Sequence, residues 1–290
     1  MHTSRSANAA PAAVSRAEIA GLEPGKSVRL PAAAIDALTG DPNFMTSLAR
    51  GLSVIQAFTR QTPQMTTSQV ALRTGLSRAA VRRCLYTLQK LGFAGAEDGQ
   101  HFSLRPRILS LSHSFSSSSS LALASQPVLD HLSHTLGESC SVGTMDGDEI
   151  VYIGRANVTR LMTVDLGVGS RLPAYCTSMG RVFLANMLQD DLDQYLARTE
   201  MHRHTRRTIV SQDKLRIALR NIQRTGYAMV DQELEVGLRS LAVPVRSATG
   251  KVIASMNIGA QAQRMPLHDI PSRFLPQLLA AAHQLSLALR

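Results

Sequence analysis

The stretch from Thr67 to Leu91, TSQVALRTGLSRAAVRRCLYTLQKL, constrains this chain more than any other. It holds two apolar-periodic segments separated by a glycine turn, each with a hydroxyl residue at its start. Thr67 is placed to cap a short helix with Val70 and Ala71 facing inward, Thr74-Gly75-Leu76 makes the turn, and Ser77 caps a second helix. A wheel of about 100° per residue gathers Ala80, Val81, Cys84, Leu85, Leu88 and Leu91 on one side of that second helix. The other side carries Arg78, Ala79, Arg82, Arg83, Tyr86 and Lys90. A small residue at Ala71 lets the helices cross closely, Gly75 supplies a positive φ, and Val81 with Cys84 closes the core, so the spacing predicts a helix-turn-helix.

A basic, hydroxyl-tipped surface helix fits the major groove, with its N-terminal half at base edges and neighbouring cations at phosphates. The expected DNA contacts are Arg78, Arg82 and Arg83, with Ser77, Thr67 and Tyr86 in secondary places. The competing reading is a solvated charged face with no partner. Against it, the Ala71, Gly75, Val81 pattern is independent of the charges and agrees with them. So does their distribution. Between Phe44 and Arg107 there are nine Lys/Arg (50, 60, 73, 78, 82, 83, 90, 105 and 107) against Glu97 and Asp98, so +7 of the chain's net +10 lies in that segment.

Three cysteines, Cys84, Cys140 and Cys176, are widely spaced with no CxxC pair, which suits reduced thiols in a cytoplasm better than a disulfide frame. The longest apolar runs fall short of the roughly 20 residues of a membrane span. Residues 1–43 are expected to be a flexible tail, because Met1 to about Gly40 is rich in Ala, Pro and Ser without an apolar period. Its first sixteen residues lack acid, a composition shared with organelle transit peptides, but they have no secretory apolar core.

Thr46 to Arg60 predicts a helix with Leu48, Leu52, Ile55 and Phe58 inward, packed behind the reading pair. After Leu91, the segments Gly92 to Ala96 and His101 to Leu104 flank an Asp98-Gly99 turn and predict a β-hairpin wing, whose tip would follow the phosphates or minor groove. Arg105 and Arg107 would then lie near the DNA backbone. The winged helix-turn-helix thus spans 44–107. Residues 108–123, with the run Ser116 to Ser120, form a linker or the exposed part of a connecting helix.

The rest, 124–290, reads as one α+β domain with a mostly antiparallel sheet. A helix over Ser125 to Leu136 precedes strands at Ser139 to Met145, Glu149 to Arg155 and Arg160 to Leu166. Helices near Thr177 to Leu188, Asp191 to Arg198 and Gln212 to Thr225 come next. Strands at Tyr227 to Asp231, Leu238 to Val245 and Lys251 to Ile258 and a last helix over Arg273 to Leu289 complete it. His131 with His134, and His202 with His204, lack further ligands at metal spacing and read as surface histidines; Asp190, Asp191 and Asp193 suit a helix start.

No GxxxxGK[ST], GxSxG, HExxH or GxGxxG in a strand-to-helix context is present, so the sequence predicts no enzyme, metal or cofactor. The second domain instead reads as a sensor. Thr177 and Ser178 put hydroxyls and free N–H groups at a helix start, which reads either as a plain Ser/Thr cap or as a site suited to a carboxylate. Val151, Ile153 and Arg155 would share a strand face, bringing Arg155 into the interior, where it needs an anionic partner.

Together with the helix-turn-helix and wing, the segments SRLPAYCTSMGRVFLA, DQELEVGLRSLAVPV and IASMNIGA resemble the isocitrate-lyase-regulator (IclR) family of bacterial transcription factors over about Phe44 to Arg290. The RLPAYCTSMGRV form is similar to the subgroup that governs protocatechuate, 4-hydroxybenzoate and β-ketoadipate catabolism. The resemblance implies a winged helix-turn-helix joined by a linker helix to a GAF-like effector domain, assembled as a homodimer or dimer of dimers on a palindromic operator in double-stranded DNA. It also implies that the turn from Tyr175 through Thr177 and Ser178 to Met179, with Asp231, Ser240 and Asn257, lines the pocket for a small carboxylate effector. Asn257 stands where other branches often carry Ser. Two other classes remain: an aromatic-acid enzyme with an appended DNA-binding domain, which lacks a visible nucleophile or metal, and a ligand-independent DNA-binding or scaffolding protein.

Overall fold

The computed structural model describes residues 32–59, 61–158 and 166–289. Most of the expected tail, and the strand expected at Arg160 to Leu166 apart from its last residue, lie outside them. The chain divides into two compact units, one running through Arg107 and the other from Ile108.

The first unit holds helices α1 (Ala32–Asp36), α2 (Thr46–Gln56), α3 (Thr67–Thr74) and α4 (Arg78–Lys90), with strands β1 (Gln64–Thr66), β2 (Ala94–Ala96) and β3 (His101–Leu104). The strands pair antiparallel in the order β1-β3-β2, so the wing has a third strand beyond the expected hairpin. The flexible tail expected through residue 43 is not what residues 32–36 form. They make a helical turn that buries Ile35, 1% exposed, among Val54, Val70, Leu76, Val81 and Leu85. Enough apolar contact is available there to offset the ordering of a short segment.

Helix α2 also turns differently from its expected face. Ala49, Ser53, Val54 and Ala57 are buried, Ile55 and Phe58 pack at the margin, and Leu48 and Leu52 are exposed. Small residues face inward because α2 lies close against α4, and the leucines go outward with Met45. In α4, Val81, Leu85 and Leu88 are buried as expected, Cys84 is half-buried, and Leu91, which caps the helix end, is exposed.

The second unit begins with α5 (Leu109–Ser118) and α6 (Ser120–Leu136). Ser119, with φ −90° and ψ 110°, interrupts the helical path, and its hydroxyl accepts from the Ala122 N–H to start α6. Strands β4 (Ser139–Asp146), β5 (Glu149–Ala156), β6 (Arg171–Pro173), β7 (Ala228–Asp231), β8 (Leu238–Arg246) and β9 (Val252–Gln261) form one antiparallel sheet in the order β6-β5-β4-β9-β8-β7. Strand β6 was not expected, since its three residues have no period to read. Helices α7 (Ser178–Ala185), α8 (Gln189–Arg198) and α9 (Gln212–Thr225) separate β6 from β7, and α10 (Leu275–Ala288) closes the chain after a π-helical turn at Ile270–Phe274.

Strand alternation divides the core into two layers. Cys140, Val142, Leu241, Val243, Val245, Met256 and Ile258 meet Leu129, Leu132, Phe274, Leu278 and Leu285 from α6 and the C-terminal segment. On the opposite face, Ile150, Tyr152 and Ala242 meet Met179, Leu184, Tyr195, Leu215 and Leu219 from α7, α8 and α9. That second layer does not fill the sheet completely, and the gap holds the candidate effector pocket.

Candidate nucleic-acid interface and effector pocket

The reading helix is set by two local devices. Gly75, at φ 75°, ends α3 in the left-handed region, and Ser77 accepts from the Ala80 N–H at 3.2 Å to start α4. The cap of α3 is Thr66, one residue before the expected Thr67. Thr66 and Gln69 bond reciprocally, each side chain to the other's backbone N–H, while Thr67 is the first helical residue. The glutamine three residues on was the signal for the correct position. Arg78, Arg82, Arg83 and Tyr86 all stand exposed on α4, with Lys90 Nζ 5.4 Å from the Tyr86 ring centroid.

The wing's charges are graded along its length. Its tip carries Glu97 and Asp98. Hydrogen bonds from the His101 backbone and ring hold the Asp98 carboxyl well below the usual carboxylate range. Arg105 lies across Gly95, where a Cβ would come within 2.3 Å of its Nε, and the Arg107 guanidinium stacks 5.8 Å over Phe93. The basic groups therefore sit at the base of the wing, and the acidic tip is unsuited to the phosphate contact expected of it.

In the second unit, one pocket gathers Tyr152 and Arg155 from β5, Thr177, Ser178 and Met179 from the start of α7, and Ser240 and Asn257 from β8 and β9. These include six of the eight residues expected to line it. Apolar side chains, among them Leu166, Leu172, Val230 and Leu234, complete the wall. Sequence reasoning missed Tyr152, and the reason is a bulge. Val142 pairs with Gly154 but Gly143 pairs with Tyr152, so β5 carries one extra residue. Ile153 accordingly turns to the other core layer, and Tyr152 and Arg155 share the pocket wall, which overturns the expected Val151, Ile153, Arg155 face. Gly143 allows this, since a Cβ there would lie 2.9 Å from the Val151 carbonyl oxygen.

Arg155 donates to Ser141 Oγ at 2.9 Å and lies 5.8 Å over the Tyr152 ring. Burial pushes the Tyr152 phenol up to about 12, against the opposing pull of Arg155 and a side-chain hydrogen bond with Asn257, so it is neutral at pH 7. Thr177 caps α7, accepting from Gly180 N–H while its own hydroxyl donates to the Pro173 carbonyl at 2.9 Å. Ser178 Oγ and Asn257 Oδ1 are buried and find no hydrogen-bond partner among the described residues.

Two expected residues do not line this pocket. Tyr175 is buried beneath it. Its hydroxyl donates to the His202 carbonyl at 2.7 Å and lies 3.0 Å from His204 Nε2, so the MHRHT loop serves as its polar partner. Asp231 instead pairs with Arg207 and with Arg239, whose Nη2 is 2.8 Å away. Sequence position placed both near the site, but the partners that turn them away are distant in the chain.

A bidentate ion pair links α7 to the segment after β7. Arg181, 3% exposed, donates to both carboxylate oxygens of Glu233 at 2.6 Å and to the Tyr175 carbonyl at 2.8 Å. Glu233 also accepts from the Ile209 N–H. The pair joins α7, which supplies Ser178 and Met179, to the segment supplying Leu234. Neither residue had been singled out, although both lie inside the motifs that carried the resemblance.

A basic reading helix in one unit and a mixed polar and apolar pocket in the other define a DNA-binding regulator with a sensory domain. Model comparisons agree: the IclR helix-turn-helix domain matches residues 47–97 and the IclR C-terminal domain matches residues 113–287. The chain belongs to the IclR family of bacterial transcriptional regulators. It is 49% identical over 259 residues to the Pca regulon regulatory protein of Pseudomonas putida, covering 89% of each chain. It is 31% identical over 248 residues to the p-hydroxybenzoate hydroxylase transcriptional activator of Acinetobacter baylyi, covering 84% of this chain and 91% of that one. A solved transcriptional regulator from Rhodococcus sp. RHA1 matches with a TM-score of 0.77 at 45% identity, over 85% of this chain and 98% of the other. No described helix is long and apolar enough to cross a membrane.

Proposed function

We propose that this regulator controls genes of aromatic-acid catabolism, and that a small carboxylate in the effector pocket changes its operator binding or activation. One observation carries the sensory part: among the described residues lining the pocket, Arg155 is the one cation and there is no carboxylate. A largely apolar cavity with a single guanidinium at its wall and hydroxyls at a helix start suits a small organic anion. Relatives named for the Pca regulon and for p-hydroxybenzoate hydroxylase favour an aromatic acid or β-ketoadipate as that anion.

Arg78, Arg82 and Arg83 are the proposed base and phosphate contacts, supported by their exposure on α4, with Ser77, Thr67 and Tyr86 secondary. The reading head extends through Arg107, residues 108–123 connect it, and 124–290 hold the sensor. The exposed stripe of Leu48 and Leu52 on α2, with Met45 just before it, suits a two-fold contact, so a homodimer, or a dimer of these, would place two reading helices on a palindrome in the cytoplasm. The effector acts by binding one arrangement of that assembly better than the other.

The test is fluorescence anisotropy on DNA from upstream of the protein's own gene, at two salt concentrations, with and without 4-hydroxybenzoate, protocatechuate and β-ketoadipate. Salt-sensitive operator binding shifted by one of the acids is the expected result. Binding indifferent to all three would remove the effector assignment, and absence of specific binding would remove the DNA-reading assignment.

A further inference from the structure

The six-stranded sheet ends at β7, and no described strand pairs with its outer side. Gln232 N–H donates to the Leu238 carbonyl, which fixes the alternation along the strand. Ala228 and Val230 turn their backbone groups to β8, and the N–H and C=O of Met229 turn away from it. Next to this edge lies a groove of about 360 Å³. Ala218 and Ile222 of α9 line it, as do Leu267 and Ile270 and, from the edge strand and the residue before it, Met229 and Tyr227. Ile222 belongs to one core layer and Ile270 to the other, so a cavity that touches both beside β7 opens past the rim of the sheet. An unpaired strand edge between two apolar walls is a template for one more strand, with alternate side chains of the newcomer entering the groove.

Charge selects the newcomer. Residues 198–224 hold eight Lys/Arg (198, 203, 206, 207, 214, 216, 220 and 224) against Glu200 and Asp213, a net +6, whereas the rest of residues 124–290 carries ten Lys/Arg against thirteen Asp/Glu. Lys214 lies one turn before Ala218 on α9, and Arg224 donates to the side chain of Asn221, another lining residue. Both cations are exposed, and neither meets a carboxylate among the described residues. Arg181 also reaches the groove, but Glu233 neutralises it. Beside Leu267, Asp269 lies 3.3 Å from His268 Nε2. A second copy of the chain is a poor occupant, since two-fold pairing of β7 with itself would bring two such positive segments together. A nucleic-acid backbone matches the charge but uses neither the apolar walls nor the strand edge. We propose that the edge of β7 is a docking site for an acidic, extended segment of a partner protein. The segment is held by strand addition, with apolar residues in the groove and acids against Lys214 and Arg224. This site is separate from the effector pocket, which takes Val230 from β7, a side chain on the opposite face from Met229.

The experiment is fluorescence anisotropy on the full chain with a labelled peptide, Asp-Glu-Val-Thr-Leu-Thr-Val-Glu-Asp. One control carries Lys at the acidic positions, and the other is the acidic peptide N-methylated along its core, which cannot pair with a strand. Wild-type protein is expected to bind the acidic peptide, and each control about tenfold more weakly or worse. Lys214→Glu/Arg224→Glu, a change at two exposed positions, should weaken the acidic peptide by about tenfold or more. Ala218→Trp, which fills the groove, should do the same with every charge in place. Both variants are checked for a native circular dichroism spectrum, and the surface double variant keeps the test open if Ala218→Trp does not fold. No binding of the acidic peptide would overturn the proposal. So would equal binding of either control, or binding unchanged in either folded variant. Weaker binding of non-operator DNA by the double variant, with peptide binding unchanged, would assign the face to nucleic acid instead. A lower sedimentation mass for Ala218→Trp would assign it to a second copy, and either result would overturn the proposal.

Discussion

Breaking the Arg181–Glu233 ion pair gives a measurable prediction for the whole effector domain. In Arg181→Met, the Glu233 carboxylate stays buried with only the Ile209 N–H as a remaining listener for its charge. Removing one member of a buried pair costs about 3–5 kcal/mol, because the survivor's charge is left uncompensated. Glu233→Leu strands the guanidinium in the same way and costs a similar amount. If the two effects added, the double variant Arg181→Met/Glu233→Leu would lose about 6–10 kcal/mol and would not fold. It is instead expected to lose about 2–4 kcal/mol, the cost of leaving the Tyr175 carbonyl and the Ile209 N–H unpaired. A double-mutant cycle should therefore show a coupling of about 3 kcal/mol or more. Urea unfolding followed by tyrosine fluorescence suits the measurement, since the chain has no Trp and four of its five Tyr (152, 175, 195 and 227) lie beyond Ile108. Single variants costing under about 1 kcal/mol, or a double variant equal to the sum of the singles, would refute the reasoning.

Other outcomes are equally concrete. Arg82→Ala should reduce the slope of log K against log salt for operator binding by about 1, and an unchanged slope and affinity would take Arg82 off the DNA. Ile35→Ala should destabilise the reading head by about 2–4 kcal/mol through the cavity it opens, read as a lower melting transition of that unit by calorimetry. Gly180→Ala should yield misfolded effector domain, because its Cβ would stand 2.3 Å from both Cα and the carbonyl oxygen of Ala174, backbone atoms that cannot step aside; a native spectrum would contradict this. Burial pushes the Cys140 and Cys176 thiols up to about 12. Folding therefore favours their protonated forms, so their contribution to stability is whole below an unfolded thiol value of about 8.5 and is lost as pH rises from there toward 12. The urea midpoint should fall between pH 8 and pH 10, and less so in Cys140→Ala.

The parts of this molecule that could be read from the chain are those whose causes are local. Gly75 and Ser77 mark the turn and cap of the reading helix because the backbone geometry there needs those residues. The alternation of β8 and β9, and the hydroxyls at the start of α7, are similarly short-range. What was misread depends on distant partners. The extra residue in β5 takes its meaning from the register against β4, so the period of β5 alone hides Tyr152 and points Ile153 to the wrong face. Tyr175 and Asp231 carried the right sequence position, yet His202, Arg207 and Arg239 draw their polar ends elsewhere. Leu48 and Leu52 show the limit of hydrophobic periodicity: where two helices approach closely, alanine and serine make the contact and the larger residues are turned outward.

The helical turn at Ala32–Asp36 bears on any attempt to transplant this reading head. The family domain matches residues 47–97, so a chimera spliced at those limits would leave Ile35 behind and take a core without one of its fully buried side chains. The graft would also lose Ala32, whose Cβ lies 3.3 Å from where a Cβ on Gly75 would be, at the elbow between α3 and α4. A head moved between relatives therefore has to travel with the stretch that precedes it, and a poorly behaved chimera would reflect where the cut was made rather than an incompatibility of the two proteins.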